Sequence, residues 1–126
     1  MSRTEEREAI IKLLYLSSMD GSYDPQDYSQ TILERLERIH AHLAEIDAII
    51  SANLQNWTID RLNYVDKAII RNAVYEMKYA ELPYEIAINE ALELTKKYTN
   101  LDDNLARNFN NKLLDTIKNS LFNKGE

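Results

Sequence analysis

The sequence predicts a single all-α domain of about five main helices. Three observations carry this. Apolar residues recur at three- and four-residue spacing, no stretch alternates with period two, and the 126 residues include only 2 Gly and 2 Pro. Barrels and sandwiches need many turns, and phosphate-cradling loops need several glycines, so both are excluded. The length suits one domain, taken as residues 1–126. A chain of this size buries roughly two-thirds of its unfolded surface without staples.

The first helix is expected to start at Ser2. Ser2 and Glu5 have capping-box spacing, in which hydroxyl and carboxylate each satisfy an orphan backbone N–H. Ile10, Leu13, Leu14 and Ser17 then share a face, with Ile11 beside it. Met19-Asp20-Gly21-Ser22 stops this helix, with Gly21 as the residue suited to a left-handed cap. Asp24-Pro25 reads as an N-cap followed by proline at the first helical position. From there to Leu54 no breaker appears, so one long helix is expected. Its seam is Ile32, Leu36, Ile39, Leu43, Ile46 and Ile50, with coiled-coil-like spacing. Asn56-Trp57-Thr58 forms a joint, with Thr58 capping a short turn through Leu62. Val65, Ile69, Ile70, Ala73, Val74 and Met77 make the next apolar face. Leu82-Pro83 breaks the chain, and Pro83 opens a helix carrying Ile86, Ala87, Leu92, Leu94 and Tyr98. Asp102 or Asp103 caps the last helix, where Leu105, Phe109, Leu113, Ile117 and Leu121 recur every four residues. The last five residues are expected to fray.

The chain has no cysteine, which excludes disulfides, thiolate zinc sites and a catalytic thiol. No apolar run spans a bilayer, and the charged N-terminus lacks the apolar core of a signal peptide. A cytoplasmic setting with no membrane partner is expected. His40 and His42, two apart on a helix, face different directions and cannot share a metal. No nucleophile elbow or P-loop occurs, and acidic pairs such as Asp102-Asp103 sit where helix capping explains them. No enzyme activity, metal or cofactor is expected, and a binding module remains.

Charge narrows the partner. The net charge is −6, so phosphate backbones are repelled on average. The distribution is uneven, however: residues 1–56 hold 5 basic and 10 acidic side chains, and residues 96–124 hold 6 basic and 3 acidic ones. Any nucleic-acid contact should use the C-terminal stretch, joined by Arg3, Arg7 and Lys12. Flat rings beside cations suit single-stranded RNA, whose unstacked bases offer a π-face. Lys96, Lys97, Tyr98, Arg107, Phe109 and Lys112 supply both, although Phe109 also lies on the core stripe of its helix.

Residues 56–115 then make a specific match. Trp57, Arg61, Leu62, Val65, Ala68, Ile69, Arg71, Ala73, Tyr75 and Glu76 form one block. Pro83, Ala87, Ile88, Asn89, Glu90, Ala91, Glu93, Leu94, Lys96 and Tyr98 form a second, and Phe109, Asn111, Leu114 and Asp115 a third. In order and register these resemble the NusB family of bacterial transcription antitermination factors. Arg7, Glu8, Ala9, Leu14 and Tyr15 resemble that family's first helix. The resemblance implies a NusB-like fold of two packed helix bundles with no catalytic activity. It implies an RNA-binding factor that pairs with the ribosomal protein NusE, binds boxA RNA and joins the RNA polymerase antitermination complex on ribosomal RNA operons. The implied stacking positions are Tyr15 and Phe109, with Arg3, Arg7, Arg107 and Lys112 as RNA-facing cations. The implied NusE-facing carboxylates are Asp60 and Asp66.

Three departures stand out. The N-terminus mixes Arg3 and Arg7 with Glu5, Glu6 and Glu8 where the family often has an arginine-rich run. Residues 17–27 are too few for the family's extra helix, which reduces the N-terminal bundle to a helix pair and leaves part of the long seam uncovered. Lys112 and Asn110 replace the Gly and Val of the family's FVNG. These departures keep an alternative open: a protein-interaction scaffold or homodimer of the same fold that has lost boxA recognition.

Overall fold

The computed structural model describes residues 2–99 and 104–122. The described residues form six α-helices, two short 3₁₀ turns and no strand. They are α1 (Arg3–Ser18), α2 (Gln30–Ala41), α3 (Leu43–Asn53), α4 (Tyr64–Lys78), α5 (Tyr84–Tyr98) and α6 (Leu105–Phe122). The all-α prediction holds. The expected capping by Asp102 or Asp103 and the final four residues lie outside the described residues.

α4 is the hub. It packs against α1, α3, α5 and α6, and Ala68, Ile69, Ile70, Ala73 and Val74 are almost wholly buried. Each fully buried Ile or Val of this set contributes roughly 1.5–3 kcal/mol relative to exposure. α1 and α2 form the N-terminal helix pair, while α3, α5 and α6 complete a bundle around α4. α1 begins with the expected capping box: Glu5 N–H donates to Ser2 Oγ (3.1 Å) and Ser2 N–H to Glu5 Oε1 (3.3 Å). That bond to the Ser2 backbone N–H holds the Glu5 carboxyl below its ordinary pKa.

The structure corrects four local expectations. The left-handed residue after α1 is Asp20 (φ 56°), not Gly21. Gly21 instead donates its N–H to Leu16 O at 2.7 Å, so close that an added Cβ would meet Leu16 Cδ2 at 3.0 Å. The long helix from residue 25 is three pieces. Pro25–Asp27 is one 3₁₀ turn, Ser29 recaps α2 by accepting from Ile32 N–H (3.2 Å), and the helix breaks again at His42. No Gly or Pro marks that second break. It exists because α2 covers α1 while α3 must turn to cover α4 and α6, and the His42 ring stacks on Tyr79 at 3.9 Å. Leu43, on the seam by sequence, is therefore only half-buried, whereas Ile32, Leu36, Ile39, Ile46 and Ile50 are core. The seam is covered, so the uncovered strip expected from the missing helix does not form. Third, the Ile59–Arg61 turn follows Thr58 without a side-chain cap. Fourth, the four-residue stripe of α6 does not all face inward. A step of four residues drifts about 40° around a helix of 3.6 residues per turn. Leu105 and Phe109 thus fall on the solvent side at 66% and 42% exposure, and Asn110, Leu113, Leu114 and Ile117 make the buried face.

Candidate nucleic-acid interface

A buried polar cluster at the start of α4 organises this surface. Asn63 caps the helix: its Oδ1 accepts from Asp66 N–H, and its Nδ2 donates to Asp66 Oδ2, both at 2.7 Å. Asp66 Oδ1 accepts from Thr99 Oγ1 (2.8 Å) at the end of α5 and from Asn110 Nδ2 (3.1 Å) in the second turn of α6. Asn110 Nδ2 also donates to Thr95 Oγ1 at 3.0 Å. One carboxylate thereby ties three helix ends together. The residue before Asn110 is Phe109, so this cluster sets where its ring emerges.

Phe109 and Lys112 stand on one side of a groove of about 230 Å³, faced by Asn53, Gln55 and Asn56 at the joint after α3. Asn53 Nδ2 is held by Ile49 O (2.8 Å), which presents its Oδ1 as a remaining acceptor. Asn56 takes a left-handed backbone (φ 58°), a conformation Asn tolerates. A flat ring, three amides and an ammonium can together stack, hydrogen-bond and neutralise a nucleotide.

Tyr15 lines a second, larger groove of about 500 Å³ with Lys12, Tyr28, Val65 and Tyr98. The two grooves share no lining residue: Val65 of α4 lines this one, whereas no residue of α4 lines the Phe109 groove. Beside Tyr98, Lys97 pairs with Glu8 at 2.7 Å, and that bond raises the Lys97 pKa.

The sequence-derived residues separate clearly. Arg3 is exposed, Arg107 half-buried and Lys112 exposed, and none has an ion pair among the described residues. Arg7 is a correction. It is 6% exposed, and its Nε and Nη2 donate to Glu76 at 2.9 and 2.7 Å. Glu90 lies 3.5 Å from Nη1, and the hydrogen bonds to Glu76 raise the Arg7 pKa. This guanidinium is spent inside the protein, joining α1 to α4. Asp66 is a second correction: at 8% exposure, with its oxygens occupied by Asn63, Thr99 and Asn110, it does not face a partner. Asp60 is exposed in its turn. Sequence reasoning missed Asn53, Gln55 and Asn56. The only signal was a run of amides at a joint, and joints rich in Asn are usually just turns.

The sequence model of the NusB family matches residues 4–119. The transcription antitermination protein NusB of Thermoanaerobacter sp. (strain X514) is 37% identical, with 81% of each chain covered. That of Bacillus mycoides (strain KBAB4) is 35% identical, covering 96% of this chain and all of the relative. Among solved structures, T. maritima NusB superposes with TM-score 0.77 at 29% identity, covering 93% of this chain and 90% of that one. A chain in the crystal structure of a plectonemic RNA supercoil shares the fold at TM-score 0.78 and 24% identity, covering 99% and 100%.

Proposed function

This chain belongs to the NusB family, and on that premise we propose that it is the RNA-binding subunit of an antitermination complex. It is a transcription antitermination factor and not an enzyme. In our reading it pairs with the ribosomal protein NusE and holds boxA RNA during transcription of ribosomal RNA operons.

The observation that supports this reading is the groove beneath the half-exposed Phe109 ring, with Lys112 beside it and Asn53, Gln55 and Asn56 opposite. A base stacked on such a ring is worth roughly 1–3 kcal/mol, and amides match the polar edges of bases. Tyr15 and Lys12 offer a second ring and cation in a separate groove, where Glu5 and the Lys97-paired Glu8 oppose phosphate. Arg3 and Arg107 add charge, while Arg7 takes no part. Few cations are available on a chain of net charge −6, so the free protein binds weakly and with a shallow salt slope. NusE strengthens binding by adding its own positive surface, and Asp60 is the carboxylate left to meet it. The alternative, a protein-interaction scaffold or homodimer of the same fold that has lost boxA recognition, rests on the departures at both ends of the RNA surface; an uncovered seam does not add to it, since Ile32, Leu36, Ile39, Ile46 and Ile50 are buried and Leu43 is half-buried.

The test is binding of labelled boxA RNA at two salt concentrations, with and without NusE, for the natural protein and Phe109→Ala. We expect the substitution to weaken RNA binding while the melting temperature barely moves. A folded Phe109→Ala protein that binds boxA RNA as tightly as the parent overturns the reading.

A further inference from the structure

The Tyr15 groove has the opposite charge to the Phe109 groove. Lys112 is the one ionised side chain among the described residues that line the Phe109 groove, whereas two carboxylates, Glu5 and Glu8, line the Tyr15 groove beside the single cation Lys12. Residues 1–30 account for this sign. They hold 3 basic and 6 acidic side chains, and the guanidinium of Arg7 is taken up by buried Glu76. Arg3 and Lys12 alone remain against the six acids. A phosphate backbone is repelled here, and a cationic chain is attracted.

The rest of the lining suits a cation that carries apolar neighbours. Three tyrosines, Tyr15, Tyr28 and Tyr98, line the groove together with apolar Ala9, Ile11 and Val65. Tyr15 and Tyr28 pack against the core, and Tyr23 braces the Tyr28 ring edge-on, with centroids 5.8 Å apart. The face of an aromatic ring attracts ammonium and guanidinium groups, and a nearby carboxylate supplies the counter-charge. Lys97 shows this chemistry already at work at the groove: its Nζ lies 5.1 Å from the Tyr98 ring centroid and 2.7 Å from Glu8 Oε1. Glu5 has capacity left, because among the described residues only its Oε1 accepts a bond, from the Ser2 N–H. The cavity, at about 500 Å³, has room for several side chains. A small cation alone leaves the apolar wall in water. A chain bearing both cationic and aliphatic side chains covers it.

We propose that this groove docks an extended basic segment of a partner protein. An arginine or lysine of that segment lies among the three tyrosine rings against Glu5 and Glu8, and an aliphatic neighbour packs on Ala9, Ile11 and Val65. The inference goes beyond the RNA reading, which rests on the other groove. Lys12 and Lys97 oppose an incoming cation. An isolated segment therefore binds weakly, with a dissociation constant of roughly millimolar order.

The test titrates the full chain with the peptide acetyl-Arg-Leu-Arg-Leu-amide and follows the backbone amide shifts of Ala9, Lys12, Val65 and Tyr98. Saturable shifts are expected at these residues and not at Lys112 or Leu113, with affinity falling as salt is raised. The same peptide with glutamate in place of each arginine is expected not to saturate. Glu5→Gln keeps the capping box, which Gln serves as well as Glu, and is expected to weaken peptide binding several-fold. Tyr98→Leu keeps an apolar side chain, removes the ring face, and is expected to do the same. Both positions are exposed, so both variants should fold. A short single-stranded oligouridine is titrated in parallel. Saturable shifts at Ala9 and Val65 with that RNA, tightened in Glu5→Gln, make this a second nucleic-acid groove and overturn the proposal. Failure of the basic peptide to saturate, equal binding of the glutamate peptide, or undiminished peptide binding in both variants overturns it as well.

Discussion

Arg7 and Lys112 are both basic, both sit on helices at one end of the sequence or the other, and both resemble RNA-facing positions. Their fates are opposite. Arg7 lies on the face of α1 that meets α4, where Glu76, itself 2% exposed, waits for a counter-charge. Asn72 Nδ2 donates to the same carboxylate at 3.0 Å, and Arg35 approaches it at 4.0 Å. Lys112 lies on the outer side of α6, where nothing acidic is paired with it among the described residues. A basic residue is available to RNA only when the fold brings it no buried acid. Counting cations along the chain therefore overstates the RNA surface at the N-terminus.

Breaking the buried side of this contrast should give the largest effect. Arg7→Ala leaves Glu76 charged and buried, and should cost about 3–5 kcal/mol in denaturant unfolding. Arg7→Ala with near-normal stability would place the guanidinium outside after all. Core position comes next. Ile46→Ala and Ile39→Ala should each cost about 2–5 kcal/mol, and half-buried Leu43→Ala clearly less than either. Equal losses at Leu43 and Ile46 would restore one continuous helix through His42.

On the exposed side, Phe109→Ala should lose roughly 1–3 kcal/mol of RNA affinity with little change in melting temperature. Lys112→Gln should act more gently, lowering the salt slope of RNA binding by about 0.7 for one lost single-strand phosphate contact. A slope unchanged by Lys112→Gln would remove that lysine from the interface. The smallest effect is a pH dependence at His40. Its folded pKa is depressed below the ordinary 6.5, so the unfolded chain takes up the proton first as pH falls. Its contribution to stability is present above about pH 6.5 and is lost as the pH drops through the folded value. His40→Gln should flatten the stability profile in that window alone, as read by thermal melts between pH 7 and 5.

Local spacing alone makes legible the helical class, the capping box at Ser2 and most of the core, though not Leu114 or Ala91, and it places Leu105 and Ile86 wrongly inside. These depend on local spacing: a residue three or four positions from another apolar one shares its face wherever the helix is placed. The family motif was equally legible, because its residues stand in one register. Where long-range partners meet is settled by the folded chain and not by spacing. The break at His42 follows from two helices needing different neighbours, and no breaker residue announces it. Asp66 stands where the resemblance implies a partner-facing carboxylate, but it is claimed by Thr99 and Asn110, 33 and 44 residues away. Asn53, Gln55 and Asn56 belong to the Phe109 groove only because α3 ends beside α6. Spacing along a chain reports periodicity, whereas burial of charge and the walls of a groove are set by residues far apart in sequence.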